Sequence, residues 1–289
     1  MEAAGKRYIV HPSRSDTFRI WSLSDLHLLS AACDEAHLKR DINEIRDDPL
    51  SFWIGGGDYA DYIGYKDKRF EPKTMAPWVK VCDMGEIGRV GTEKVRDLFE
   101  PIKHKCLGLV LGNHEDSYQR FTDHTDQHAW LCHELGVPNL EYSALLDVIF
   151  VRQPRSKPRL QTVPPARGGS HQRFRLYIHH GAGGAVTPGG KLNTLIRFMK
   201  QFEADIYFIG HVHDKVARLE PMLGANEACD RLVAHERVGL ISGSYLKTYA
   251  EHITTYGEKR AYPPTSLGAT RVEIHPETRA VTAMLQGRV

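Results

Sequence analysis

Long apolar runs and a strong net charge are both missing from this 289-residue sequence. The longest apolar run, residues 106–111, is far shorter than the roughly 20 residues that cross a bilayer, so we expect no membrane segment. The opening residues, MEAAGKRY, contain no apolar signal core. The net charge of +2 does not mark the whole molecule as a polyanion binder.

Cysteine is scarce, odd in number and scattered: Cys33, Cys82, Cys106, Cys132 and Cys229. No two of these residues form a Cys-x-x-Cys pair, so the sequence indicates neither a disulfide framework nor a thiolate zinc site. A reducing cytoplasm is therefore the expected location.

Short apolar runs alternate with helical patterns, which predicts an α/β sheet covered by helices. We expect strands at 18–23, 51–54, 106–111, 174–178, 206–209 and 238–241. Apolar residues at helical spacing predict three helices. These stripes are Leu38, Ile42 and Ile45; Val95, Leu98, Phe99 and Ile102; and Leu192, Leu195, Ile196 and Met199.

One large domain, residues 1–289, fits this length and the lack of internal repeats. Residues 152–169 are rich in Pro, Arg and Gly, which predicts a long surface loop, a basic insertion around 152–173. Residues 271–274 and 280–284 are expected to form a terminal hairpin.

Ionisable and amide side chains follow five of the predicted strands. In chain order they are Asp25 and His27, Asp58 and Asp61, Asn113 and His114, His179 and His180, and His211 and His213. Ligands bind at the carboxyl ends of strands in open α/β sheets, so we expect these groups to meet. Alternate residues of an extended segment point the same way, so Asp25 with His27, and His211 with His213, should each aim at one place.

This mixture of carboxylate, amide and imidazole groups suits divalent cations such as Mn, Fe or Zn. Two such ions roughly 3.5–4 Å apart clamp a phosphoryl group and acidify a water for attack. One such motif alone arises often by chance, whereas five in one order favour a functional site. The sequence therefore predicts two divalent metal ions, with Mn first and Fe, Zn, Ni or Mg as alternatives.

The ordered blocks Asp-x-His, Gly-Asp-x-x-Asp, Gly-Asn-His-Glu, a strand-terminal His and Gly-His-x-His resemble the calcineurin-like metallophosphoesterase superfamily. Its phage, bacterial and archaeal phosphoesterases are the most similar branch. The resemblance implies a two-sheet β-sandwich flanked by helices, in four α/β/β/α layers, with the dimetal centre at one edge.

The resemblance also implies a role for each block residue. Asp25, His27 and His213 would hold one metal, Asn113, His179 and His211 the other, and Asp58 would bridge them. A water or hydroxide between the metals would be the nucleophile. His114 would be the general acid, with Asp61 orienting its ring.

The fourth block contains two adjacent histidines, which would point to opposite faces if the strand continued through both. The family pattern favours His179 as the ligand. His180 would then contact substrate or pack nearby.

Protein Ser/Thr phosphatases carry phosphate-binding arginines at positions held here by Tyr62 and Leu111. Without these arginines to clamp a phosphate dianion, a phosphodiester monoanion is a more suitable substrate than the phosphate group of a phosphoprotein. A phosphomonoesterase acting on a small metabolite or nucleotide is the first alternative. A non-catalytic binding scaffold of the same fold is the second, against which the intact ligand set argues.

Nucleic acid is the candidate polymeric partner, because residues 148–202 contain basic side chains and no Asp or Glu. A basic segment flanking His179 would attract a polyanion. An ordinary solvated loop with a charged helix face explains the pattern equally well. The ten residues are Arg152, Arg155, Lys157, Arg159, Arg167, Arg173, Arg175, Lys191, Arg197 and Lys200.

Further candidate substrate contacts are Lys191, Tyr245, Lys247 and Tyr249. Lys191 follows the glycine-rich run 181–190, which fits a phosphate cradle, a lid or a plain connecting loop. His124 and His128 share a helix face but lack a third ligand, so we expect both on the surface.

Overall fold

The computed structural model describes residues 1–122, 126–154, 157–166, 169–226 and 228–285. His124, Arg155 and Arg167 lie outside these ranges. Twelve strands form within them: β1 (Glu2–His11), β2 (Phe18–Leu23), β3 (Ser51–Gly55), β4 (Cys106–Leu109), β5 (Ser143–Arg152), β6 (Arg159–Gln161), β7 (His171–His179), β8 (Ile206–Ile209), β9 (Lys215–Ala225), β10 (Leu232–Ser244), β11 (Gly268–His275) and β12 (Ala280–Leu285). The α-helices of the same ranges are α1 (Glu35–Asp47), α2 (Ile87–Phe99), α3 (Asn113–Thr122), α4 (Gln127–Leu135), α5 (Pro188–Gln201) and α6 (Tyr256–Lys259).

The predicted mixed α/β fold is confirmed, and each of the six predicted strands is present. The terminal hairpin is confirmed as well, because β11 and β12 pair antiparallel. The prediction that 152–169 is wholly loop is wrong. Within it, β6 pairs with β1 at the edge of the sheet.

The strands follow one path, β4-β3-β2-β11-β10-β8-β7-β5-β1-β6, with β9 beside β10 and β12 beside β11. The resemblance implied two sheets, but a short pairing of Gly243 and Ser244 with Gly268 and Ala269 joins the two halves. One buried cluster contains apolar residues of both halves, so the halves face each other across it. It includes Phe18, Ile20 and Phe52 from one half and Phe150, Phe174 and Phe208 from the other.

Helices cover the two outer faces of this sheet. α1, α2 and α4 pack on the β2–β3–β4 half, where Trp21 and Trp53 are buried. α5 packs on the other half, where Tyr177 and Tyr207 are buried. Each buried apolar side chain contributes about 1.5–3 kcal/mol of transfer free energy.

Local sequence explains the helix starts. The Asp34 side chain accepts a hydrogen bond from the His37 backbone N–H (3.0 Å) and caps α1, whose predicted stripe is buried. Thr187 caps α5, with Pro188 in its first turn. The predicted α5 stripe is only partly right, because Phe198 and Lys191 are buried while Leu192 and Ile196 are half-buried.

Parallel pairing brings the carboxyl ends of several strands to common edges. β2, β3 and β4 run parallel in one half, and β7 and β8 run parallel in the other. No helix in the described ranges is long and apolar enough to cross a bilayer.

Candidate metal centre

Three groups of side chains converge in the described residues, one of them formed by His27, Asp61 and His114. Asp25, His27 and His213 form the first of the two groups that match the predicted metal ligands. The Nε2 atoms of His27 and His213 lie 3.1 Å apart. His213 Nε2 is also 3.1 Å from Asp25 Oδ1. Two imidazole nitrogens and a carboxylate oxygen therefore point at one location, as the resemblance implied for one metal.

Asp58, His180 and His211 form the second group. His180 Nε2 lies 3.3 Å from Asp58 Oδ2 and 2.9 Å from the Asn113 side-chain oxygen. The His180 and His211 ring centroids are 5.3 Å apart. Asn113 thus joins this group, and Asp58 interacts electrostatically with His27 of the first group as well as with His180.

His180 occupies the place expected for His179, which corrects the sequence assignment. Phe174, Leu176 and Ile178 face the apolar cluster between the two halves of the sheet, so residue 180 continues that side. His179 faces the α5 side, where its ring lies 4.7 Å from that of Phe198. Its Nδ1 accepts a hydrogen bond from the Gly181 backbone N–H at 2.7 Å.

The backbone at the candidate ligands is left-handed rather than extended. Asp25, His27, Asp58, His211 and His213 all have positive φ, between 46° and 70°. Asp25 and His27 converge as predicted, although their backbone is not extended, whereas His211 and His213 belong to different groups, which corrects that part of the expectation. Such conformations cost on the order of 1–3 kcal/mol each and cluster at functional sites.

Backbone hydrogen bonds hold the strained loop after β2. The Asp25 N–H donates to Gly57 O (2.9 Å), and the His27 N–H donates to Asp58 O (3.1 Å). The Asp25 carbonyl accepts from the Tyr245 N–H (3.0 Å). The loops after β2, β3 and β10 are thereby tied together around the cluster.

Glu115 is a site residue to which the sequence analysis assigned no role, although it ends the Gly-Asn-His-Glu block. Its buried carboxylate accepts backbone hydrogen bonds from Asp58 (3.1 Å), Tyr59 (2.7 Å) and Gly112 (3.1 Å). It therefore fastens the loop after β3 to the loop after β4. Burial, and then the nearby charge of Asp58, raise the pKa of Glu115 to about 7.

His114 and Asp61 are close, but not through the expected atoms. The His114 Nδ1–H donates to the Asp61 backbone carbonyl (2.6 Å). The Asp61 carboxylate instead contacts His27 Nδ1 at 2.6 Å and lies 3.9 Å from the His114 ring. Asp61 therefore orients two imidazoles: its backbone carbonyl contacts His114, and its side-chain carboxylate contacts His27.

The buried carboxylates of Asp25 and Asp58 are stable in the charged form only if nearby positive charge balances them. Asp25 and Asp58 are at most 1% exposed. Burial acts to raise the pKa of Asp58, but the charges of His180 and His114 outweigh it and hold this pKa well below its ordinary value. Burial acts to lower the pKa of His180, but Asp58 raises it to about 10. A proton on His180 thus balances these carboxylates, and divalent cations fit the same need with a suitable donor set.

Tyr245 and Lys191, two of the five proposed substrate contacts, are not available to a ligand. Tyr245 is buried and its hydroxyl donates to Asp41 Oδ2 at 2.6 Å. Lys191 is buried with its Nζ 3.1 Å from Asp214 Oδ2. Lys247 and Tyr249 are partly exposed and line a cavity.

His128 is buried rather than on the surface, which corrects the prediction. Its Nε2–H donates to the Asn139 side-chain oxygen at 3.0 Å. Its ring stacks on that of Tyr59, with centroids 6.2 Å apart. His128 therefore packs behind the loop that carries Asp58.

The basic insertion does not flank the candidate metal centre. The insertion connects β5 to β7 and meets β7 at its His171 end. At a rise of about 3.3 Å per residue, about 26 Å of strand separates His171 from His179. Two of its cations, Arg152 and Arg173, and the neighbouring Arg175 of β7 pair with carboxylates of this chain. Arg152 pairs with Glu277, and Arg173 and Arg175 pair with Asp147.

Comparisons with known proteins agree with this geometry. The family model described as calcineurin-like phosphoesterase matches residues 18–215. No curated protein sequence matches significantly.

Similar folds occur among solved bacterial structures. A predicted phosphoesterase from Streptococcus pneumoniae TIGR4 is 15% identical, with 90% of this chain and 84% of that chain covered and a TM-score of 0.34. A candidate 5′-nucleotidase from Staphylococcus aureus is 13% identical, with 93% and 53% covered and a TM-score of 0.44. The calcineurin-like phosphoesterase YfkN from Bacillus subtilis is 10% identical, with 93% and 88% covered and a TM-score of 0.37. The chain spans about half of the S. aureus protein, and at these TM-scores no functional conclusion follows.

Proposed function

Because the chain belongs to the calcineurin-like phosphoesterase family, we propose that it is a dinuclear metal-dependent phosphodiesterase. The observation that supports this is the meeting of Asp, His and Asn side chains from five strand ends in two adjoining groups. The family match covers the sequence that supplies all of these residues.

Asp25, His27 and His213 would hold one divalent cation, and Asn113, His180 and His211 the other, with Asp58 between them. Manganese is the first choice, with Fe, Zn, Ni or Mg as alternatives. Bound there, the pair would neutralise charge on the phosphoryl group and acidify a water.

His114 would protonate the leaving oxygen. Its Nδ1–H is engaged with the Asp61 carbonyl, so a second proton on Nε2 is the one to donate. Burial acts to lower the pKa of His114, but the charges of Asp58 and Asp61 outweigh it and raise this pKa above its ordinary value. Asp58 and Asp61 therefore favour the doubly protonated ring, which is the form that can donate a proton.

A phosphodiester is the substrate class that fits the surroundings. Tyr62 and Leu111 stand where relatives acting on phosphoproteins carry arginines, and the Tyr62 side chain is buried with its hydroxyl 3.1 Å from Thr92 Oγ1. A site without that bidentate clamp suits a singly charged diester better than a monoester dianion. Nucleic acids and nucleotides are the natural diester candidates. A cytoplasmic location is proposed because all five cysteines are unpaired.

Hydrolysis of bis(p-nitrophenyl) phosphate with Mn²⁺ tests the proposal. We expect turnover that Asp58→Ala and His114→Ala each lower by more than about 100-fold. Asp97→Ala and His133→Ala, at exposed positions, are the matched controls and should keep full activity. Faster hydrolysis of p-nitrophenyl phosphate would favour a monoesterase. No turnover with any divalent cation would reject the enzymatic proposal.

A further inference from the structure

A cavity of about 280 Å³ lies among the loops that follow β10. It is lined by Lys247, Thr248, Tyr249, Pro264, Thr265 and Leu267. The Tyr245 N–H donates to the Asp25 carbonyl at 3.0 Å, and Lys247 is two residues further along the chain. At most about 7 Å of backbone therefore separates Lys247, in the cavity wall, from Tyr245, which is hydrogen-bonded to the candidate ligand Asp25.

Tyr249 gives the cavity a fixed aromatic surface. This side chain is 47% exposed, and its hydroxyl donates to the Tyr262 carbonyl at 3.0 Å. Pro264 and Leu267 add apolar surface. A flat ring of a ligand would stack on a surface of this kind, since aromatic rings stack well in offset geometry.

The hydroxyl protons of the wall are already used. Thr248 Oγ1–H donates to Pro263 O (3.2 Å), and Thr265 Oγ1–H donates to Leu246 O (3.2 Å). These hydroxyl groups therefore have no proton left to donate to the edge of a base, although their oxygens can still accept a hydrogen bond.

Lys247 supplies a positive charge at the rim. Its side chain is 42% exposed, and its Nζ forms an ion pair with Asp34 Oδ2 at 3.7 Å, a distance too long for a hydrogen bond. An ammonium beside an aromatic surface suits a ligand that carries both a phosphate and a ring. The volume is below the roughly 300–1,000 Å³ of pockets for drug-sized ligands, so it fits one ring system rather than a whole dinucleotide.

We propose that this cavity is a nucleobase subsite, in which a base stacks on Tyr249 while Lys247 contacts a phosphate of the same nucleotide. The inference rests on the proposed function, because it makes that phosphodiester a nucleotide ester. Because every base has a face that can stack on an aromatic ring, the subsite accepts purines and pyrimidines alike.

Calorimetric binding to the full chain in EDTA tests the subsite without any turnover. The probes are adenosine 5′-monophosphate, cytidine 5′-monophosphate and ribose 5-phosphate, which lacks a base. We expect both nucleotides to bind about tenfold more tightly than ribose 5-phosphate, as stacking on one aromatic ring allows. Equal affinities for the three, or no measurable nucleotide binding, would overturn the proposal.

Variants separate the ring from the charge. Tyr249→Ala should remove the preference for the nucleotides, whereas Tyr249→Phe retains the ring and should retain most of it. Lys247→Gln should weaken all three probes alike and reduce the dependence of binding on salt. Tyr256→Ala is the matched control, because this tyrosine is 60% exposed and does not line the cavity. An unchanged preference in Tyr249→Ala would contradict the assignment.

The two proposals fail separately. If bis(p-nitrophenyl) phosphate is hydrolysed but the base adds no affinity, the subsite is wrong and the enzymatic proposal stands. If nucleotides bind as expected but no phosphoester is hydrolysed, the enzymatic proposal falls and the cavity remains a nucleotide-binding site.

Discussion

At the scale of single residues, His179 and His180 show how one position along a strand decides a role. Both are imidazoles at the end of β7, and their side chains lie on opposite faces of the sheet. His180 meets Asp58 and Asn113, whereas His179 packs on Phe198. Alanine variants of these two adjacent histidines therefore compare the same chemical group in two different surroundings.

We expect His180→Ala to lower Mn²⁺ affinity and kcat/KM for bis(p-nitrophenyl) phosphate by more than about 100-fold, because it removes a converging nitrogen. His179→Ala should change either quantity only a few-fold. Metal content after dialysis and steady-state kinetics measure the two effects, with thermal unfolding as a check on folding. The reverse order of the two variants would contradict the assignment of His180.

His128 predicts a pH dependence of stability. Burial lowers the pKa of this histidine from 6.5 to about 4. Below pH 6.5 the unfolded chain binds a proton there that the folded chain does not bind until about pH 4. Stability is therefore present in full above about pH 6.5 and is lost as the pH falls through this window, by at most about 3 kcal/mol.

The test is the free energy of unfolding measured in urea between pH 4 and pH 7. His128→Gln should flatten the profile in this window, because the titrating group is gone. His133→Gln, at an exposed position of the same helix, is the control and should keep the wild-type slope. Parallel profiles for the wild type and His128→Gln would reject the linkage.

Sequence patterns supplied the chemical groups of the site but not their orientation. The motifs predicted that Asp61 lies beside His114, and the two are in contact. Whether the backbone carbonyl or the side-chain carboxylate of Asp61 contacts His114 depends on where the rings lie in space. The contact of the carboxylate with His27 was therefore not predicted. The left-handed backbone at the candidate ligands was missed for a related reason, since it is imposed by the loops that surround them.

At the scale of elements, the loops after β3 and β4 touch through their glycines. A Cβ added at Gly112 would lie 2.1 Å from the Asp58 backbone nitrogen, and one at Gly57 would lie 2.7 Å from Gly112 Cα. Glu115 bonds both loops at this contact. The spacing of Asp58 and Asn113 therefore depends on backbone packing.

Gly112→Ala should separate these loops, because backbone atoms cannot yield as a flexible side chain would. We expect a large loss of Mn²⁺ affinity, more than about tenfold, and a lower melting temperature. Gly184→Ala is the matched control, since its added Cβ meets nothing within 4 Å. Wild-type metal binding by Gly112→Ala would show that the close approach is not required.

Short, fully buried strands were easier to predict than the long strands of this sheet. β2 and β8 are short apolar runs buried on both sides, and their bounds were predicted correctly. β1 and β9 were missed, and so was β5, a mostly buried strand that pairs with β1 and β7. β1 begins with a polar, glycine-containing stretch, and most of β9 is exposed, so neither has the burial pattern that marks a strand in a sequence.

At the scale of the whole molecule, the candidate ligands come from both halves of the sheet. Asp25, His27, Asp58 and Asn113 follow β2, β3 and β4, whereas His180, His211 and His213 follow β7 and β8. Bound cations would bridge the halves, so their binding should stabilise the whole fold.

We expect Mn²⁺ at 100 times its dissociation constant to add about 2.7 kcal/mol of stability over the same protein in EDTA. The corresponding rise in melting temperature is about 5–10 °C for a chain of this size. Calorimetry with and without metal measures it. Asp58→Ala should lose the shift, and an identical melting temperature for the wild type in both conditions would argue against metal binding by the folded state.

The short pairing between β10 and β11 joins these halves, but it does not make either one sufficient. A fragment cut before β7 would keep four of the converging donors and lose three, and the complementary fragment would have the reverse set. Neither fragment would have a complete set of donors, so neither would retain partial activity. The proposed reaction centre therefore arises only when distant parts of the chain fold against each other, and its activity would report on the completion of folding.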